Sequence, residues 1–106
     1  MRAISWTQKR NSTSYSLVVS RIDLVPPAAN VIELFEDACA DLGLKAHRGT
    51  LSKYPESTHW HITLPRSKGT LEATWWPTNH VLWLEVRNHR SADWMPAAIA
   101  KLVEEF

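Results

Sequence analysis

His59 and His61 stand two residues apart in the run Ser57-Thr58-His59-Trp60-His61-Ile62-Thr63-Leu64. On a strand, side chains two apart project to the same side. Imidazole is the commonest transition-metal ligand. Glu72 or Glu85 could complete a two-histidine, one-carboxylate set, so His59, His61 and Glu72 are candidate ligands for a divalent transition metal. Any H-x-H strand shows this spacing, and the competing reading is a pair of polar surface histidines stacked on Trp76 or Trp83.

Tryptophan is the second unusual feature. The chain has 106 residues and six tryptophans, four of them between Ser57 and Arg87. Each buries a large area and needs a partner for its indole N–H. Six therefore imply an aromatic-heavy core, an exposed aromatic surface, or both. An exposed sheet face carrying Trp76 and Trp83 could stack a base or a sugar. Arg48, Lys53, Arg66, Lys68, Arg87 and Arg90 would then supply phosphate contacts around it. The same face could serve a protein partner or self-association, since Trp is enriched in interface hot spots. A net charge near +1 gives no general argument for nucleic acid or for acidic membranes.

Two resemblances attach to these residues. Trp60-His61-Ile62-Thr63-Leu64 resembles the H-x-T signature of the 2H phosphoesterases. That resemblance implies His61 as acid or base and Thr63 as a phosphate hydrogen-bond donor. The family carries two such motifs in a pseudo-symmetric pair of lobes, whereas the only histidine of the meander beyond the His59-x-His61 run, His80 in His80-Val81-Leu82-Trp83, lacks the hydroxyl. The expected α-β-β-β-α order is also similar to the topology of double-stranded RNA-binding domains. Their basic cluster at the start of the last helix is replaced here by Ser91-Ala92-Asp93-Trp94-Met95-Pro96.

Other chemistries find no support. One cysteine, Cys39, excludes an intramolecular disulfide, and it falls on the buried stripe of an expected helix. Three glycines are too few for a phosphate-cradling loop. No nucleophile–base pair and no zinc-finger spacing is present. No apolar run approaches the roughly 18 residues that span a bilayer, and no signal-peptide pattern opens the chain. The expectation is a cytoplasmic protein that makes no membrane contact and needs no cofactor, unless the histidines hold a metal.

The elements that must position these residues follow from periodicity. Residues 1–14 are polar and read as a flexible arm anchored only by Trp6, which could fold over the outer sheet face. Residues 15–106 read as a single α+β domain. Tyr15–Val25 is a candidate strand whose alternation slips at Ser20–Arg21. Val31, Leu34, Phe35, Ala38, Cys39 and Leu42 form one helical stripe, predicting a helix over about Ala28–Leu42. Pro26-Pro27 fits its start, and Gly43 with Leu44 its close. Lys45–Lys53 is a further strand, and Tyr54-Pro55-Glu56-Ser57 reads as a turn. Asp93, in preference to Ser91, is the expected N-cap of a last helix, with Pro96 at its third position and Met95, Ile99, Leu102, Val103 and Phe106 buried.

Between them lie three alternating runs. Trp60, Ile62, Leu64, Leu71, Ala73, Trp75, Leu82, Leu84 and Val86 share one face, the core beneath the helices. His59, His61, Thr63, Glu72, Thr74, Trp76, Val81, Trp83 and Glu85 share the other. One register sets His61 opposite Glu72, and another sets His59 opposite Trp76. Glu72 opposite Glu85 is unfavourable unless a cation or ligand intervenes.

The expected architecture is a two-layer sandwich: an antiparallel sheet of three to five strands packed on two helices, in the order candidate β, then α-β-β-β-β-α. The expected function is a non-catalytic binding or protein-interaction module. Its surface would be His59, His61, Trp76, Trp83 and Glu85, with Arg66, Lys68 and Arg87 at the rim. The alternative is a metal-binding protein or small hydrolase centred on His59 and His61.

Overall fold

The computed structural model describes residues 18–106. The expected arm with Trp6, and the start of the first candidate strand, lie outside the described residues. The elements run Val18–Leu24 (β1), Val31–Asp41 (α1), Lys45–Leu51 (β2), Tyr54–Thr63 (β3), Leu71–Trp76 (β4), Val81–Arg87 (β5) and Met95–Glu105 (α2). The strands form one antiparallel sheet in the order β1-β5-β4-β3-β2. This is an α+β fold with five strands and two helices. It departs from the three-stranded RNA-binding topology because four strands lie between the helices and β1 joins the sheet beside β5.

Chain order and sheet order conflict at one place. β1 and β2 are the two edges, so α1 carries the chain from one edge to the other. That crossing covers one face of the sheet. The core forms there from Val31, Phe35, Ala38 and Cys39 of α1, Met95, Ala98, Ile99 and Leu102 of α2, and the inward residues of the strands. Trp60 and Trp75 belong to this core, as the alternation predicts. The Trp60 ring packs 4.5 Å from Phe35 between centroids. Its indole N–H donates to Glu36 Oε2 at 2.8 Å, and Arg48 holds the same carboxylate with two bonds of 2.6 and 3.0 Å. The Arg48 guanidinium first, and the Trp60 N–H after it, hold the Glu36 carboxyl below its ordinary range against the opposing effect of burial. Arg48 thus points to the helix layer and not to the rim of the outer face.

α1 begins at Val31, three residues after the expected start. Asn30 has φ of 60°, a left-handed conformation that cannot continue a right-handed helix. The two prolines therefore belong to the approach and not to the first turn. Leu34 of the stripe is 44% exposed. The end of α1 follows expectation. Gly43 has φ of +77°, its N–H donates to Ala40 O at 2.9 Å, and the Leu44 N–H donates to Cys39 O at 3.0 Å. Those two bonds are a Schellman close.

Three other expectations are corrected. The chain reverses at Ser52-Lys53, and Tyr54-Pro55-Glu56-Ser57 lies within β3. Leu51 pairs with Tyr54 but Gly49 pairs with His59, so an irregular bulge absorbs Pro55 and the left-handed Glu56. Proline, without an N–H to give a ladder, is accommodated at such a bulge. α2 starts at Met95 with Trp94 as its N-cap, which puts Pro96 at the second helical position instead of the third. Val103 is 39% exposed, and Ala98 takes a place in its stripe.

Gly69, with φ of +95°, lets the β3–β4 connection pass close to the start of α2. A Cβ there would sit 2.6 Å from Ala92 Cβ and 2.9 Å from Arg90 O. Neither described helix is long and apolar enough to cross a membrane.

Candidate functional site

The register brings the outward side chains into two rows. The first crosses all five strands: Arg21, Glu85, Glu72, His61 and His47 are successive partners. The second runs Asp23, Trp83, Thr74, His59 and Gly49. His61 therefore opposes Glu72, and His59 opposes Thr74 rather than Trp76. Glu72 opposes Glu85, the unfavourable pairing. The cation that resolves it is Arg87, two residues along β5 on the same face. Its Nε lies 3.2 Å from Glu72 Oε1, and its Nη2 donates to Glu85 Oε1 at 2.9 Å.

His59 is the best-held group of the cluster. It is 5% exposed. Its Nε2 lies 3.0 Å from Glu72 Oε1, and its Nδ1 lies 2.8 Å from Thr74 Oγ1. Burial pushes the His59 pKa below its ordinary 6.5, outweighing the attraction of the Glu72 carboxylate. The neutral ring then donates from Nε2 to Glu72 and accepts at Nδ1 from the Thr74 hydroxyl. His61 packs edge to face against His59, with centroids 5.2 Å apart. Its Nε2 is 4.0 Å from Glu72 Oε2, and its side chain is 53% exposed.

Trp83 lies on the outer face, as alternation requires, but it is 2% exposed. The Arg21 guanidinium covers it 4.1 Å from the ring centroid, and Tyr54 meets its edge. Its N–H donates to Glu85 Oε2 at 3.1 Å. The open stacking platform read from the sequence is thus closed: a base or sugar would have to displace Arg21. Trp76 also meets Tyr54 edge-on. Among the described residues, neither Trp76 Nε1 nor the buried Ser57 Oγ has a hydrogen-bond partner.

Arg66 and Lys68 are not brought to this cluster. Both are exposed in the β3–β4 connection. The Lys68 carbonyl accepts the Trp94 indole N–H at 2.7 Å, and Lys68 lines an open cavity of about 490 Å³ beside Trp94 at the start of α2. Two residues that the sequence reading left outside the site adjoin it. Thr74 orients His59. His47 stands opposite His61, and its signal was the Leu44, Ala46 inward alternation, which sends His47 to the outer face.

Several chemistries can now be judged by access. Glu72, His59 and Thr74 form a carboxylate–imidazole–hydroxyl chain of the kind that activates nucleophiles. Thr74, however, is 0% exposed, so no substrate reaches its hydroxyl. The Cys39 thiol is buried, and that burial pushes its pKa up to about 12. The 2H phosphoesterase resemblance meets a further obstacle in His80. That residue sits in a left-handed turn after Pro77–Asn79 and packs edge-on against Trp75 of the core face. His59, His61 and Glu72 each offer a ligand atom within 4.8 Å of the others. No family model matches the chain, and neither the curated proteins nor the solved structures contain a match to it.

Proposed function

We propose that this chain is a non-catalytic binding module that takes a small charged ligand on the outer face of its sheet, at the end formed by His59, His61, Glu72 and Arg87. One observation carries the reading. The contiguous hydrophobic cluster lies between the helices and the inner face, yet the outer face buries His59, Glu72 and Thr74, beside Trp83, to 5% exposure or less. Burying a carboxylate is expensive even when it is paired, and apolar residues of similar volume often stabilise as well or better. A network that the core does not need is best understood as a frame holding the half-exposed His61 and the Glu85–Arg87 pair in place. Stacking of a base or sugar is disfavoured because Arg21 and Tyr54 already occupy the Trp83 ring.

The test is a titration followed by backbone amide, imidazole and indole resonances. The probes are zinc chloride, an oligouridylate and a linear glucan. Movement centred on His59, His61, Glu72 and Arg87 with zinc or the oligouridylate supports the reading, whereas movement there with the neutral glucan alone overturns it. Movement confined to α1 and α2, or none with all three probes, overturns it.

A further inference from the structure

The geometry points to a zinc-type divalent ion held by His59, His61 and Glu72, with His47 from the edge strand as fourth ligand. The inference rests on the outer-face reading and names its ligand class. In a tetrahedral site with bonds of about 2.1 Å, ligand atoms lie about 3.4 Å apart. Here His59 Nε2 and Glu72 Oε1 are 3.0 Å apart, and His61 Nε2 and Glu72 Oε2 are 4.0 Å apart. The two distances run to different carboxylate oxygens; taking one ligand atom from each residue, the three lie within 4.8 Å of one another, wider than the required spacing. His59 and Glu72 are buried and fixed, whereas the His61 side chain is 53% exposed and has room to close the remaining gap.

The surroundings match what a metal site needs beyond its ligands. Metal-bound histidines almost always donate their other ring N–H to a partner. Thr74 Oγ1, 2.8 Å from His59 Nδ1, is that partner. A hydroxyl can donate or accept. It therefore serves His59 with the proton on Nε2, donating to Glu72, and equally with the proton on Nδ1, leaving Nε2 free to bind metal. No side chain has to move for the exchange. Arg87, itself held by Glu85, fixes the Glu72 carboxylate through Oε1, the oxygen that also faces His59 Nε2.

His47 supplies what the three-residue cluster lacks. It is the direct partner of His61 in the β2–β3 register, and opposed residues hold their Cβ atoms about 5 Å apart. Its neighbour in the second row is Gly49, which has no side chain to block the approach. A Cβ at Gly49 would meet only His59 O, at 3.8 Å. Three imidazoles with one carboxylate suit zinc, nickel, cobalt or copper and not magnesium or calcium. The charges agree. Glu72 and Glu85 against Arg87 leave one net negative charge, which favours a cation over an anion.

The experiment uses the full chain, stripped of metal with a chelator and titrated with zinc chloride by calorimetry. Imidazole nitrogen resonances are recorded in parallel, and cobalt(II) absorption reports the coordination number. One zinc per chain is expected, with His47, His59 and His61 resonances moving together and a four-coordinate cobalt spectrum. His61→Ala, an exposed change that keeps the fold, should weaken binding at least tenfold. His47→Ala should weaken it about tenfold, and His80→Ala should leave it unchanged. An absence of heat with unmoved imidazoles overturns the inference, as does a His61→Ala variant that titrates like the parent. An unchanged His47→Ala variant overturns the four-ligand set. If zinc fails while the oligouridylate moves the outer face, the metal falls and the charged-ligand reading stands. If all three probes fail, both fall.

Discussion

Arg87→Met is the most informative single change outside the proposed ligands. Met keeps most of the side-chain volume and removes the cation that separates Glu72 from Glu85. Among the described residues, Glu72 then keeps its histidine neighbours, and Glu85 keeps the Trp83 N–H and its β1 partner Arg21. At an effective dielectric of about 20, each charge contact near 4 Å is worth about 4 kcal/mol before desolvation. The Arg87 side chain is 29% exposed, so solvent screens part of this and removal of the guanidinium returns part of its own desolvation. The expected net loss is about 2–4 kcal/mol at pH 7, at or just below the range for breaking a buried pair by deleting one partner. Urea unfolding of metal-free protein measures it. The double variant Arg87→Met/Glu72→Gln leaves no like charges opposed and should regain at least about 1 kcal/mol over Arg87→Met. A loss under about 1 kcal/mol, the value of an exposed pair, would refute the reasoning. So would a double variant as unstable as the sum of the singles.

Three further outcomes are expected. Trp83→Ala should cost about 3–5 kcal/mol in chemical denaturation, the range for deleting a buried aromatic side chain, whereas an open platform would hardly change stability. With zinc chelated, stability should be constant above the ordinary histidine pKa of 6.5 and fall as pH drops below it, because the unfolded chain takes up the His59 proton that the folded state resists; His59→Gln should flatten that slope in a pH series of melts. Gly43→Ala should cost only about 1 kcal/mol, since open space leaves just the positive φ to resist it. Gly69→Ala should cost more than twice that in the same assay, because its Cβ also strikes Ala92 and the Arg90 carbonyl.

The fold was largely legible because its signals are local. Period-2 alternation over Trp60–Leu64, Leu71–Trp75 and Leu82–Val86 placed the inner face, and those residues are the core. The α1 stripe and its glycine close were readable for the same reason. Errors fell where backbone conformation overrode propensity. Left-handed Asn30 delayed α1, and the bulge carrying Glu56 made Pro55 part of a strand. The sorting of His59, His61, Glu72, Trp83 and Glu85 to one outer face was readable too, but their exposure was not. Nothing near Trp83 in the chain announces that Arg21, from a strand joined across the sheet, will lie over its ring.

The sequence by itself determined which side chains share a face, because alternation is a property of one strand and needs no partner. It also determined that Glu72, in the one register that sets it opposite Glu85, would require a cation or a ligand between them. Only the tertiary structure decided that the cation is Arg87, that Thr74 stands behind His59, and that His47 lies across from His61. Those are relations between strands, set by register. Register depends on how five strands and two helices bury their apolar surface together, a quantity that no single segment encodes.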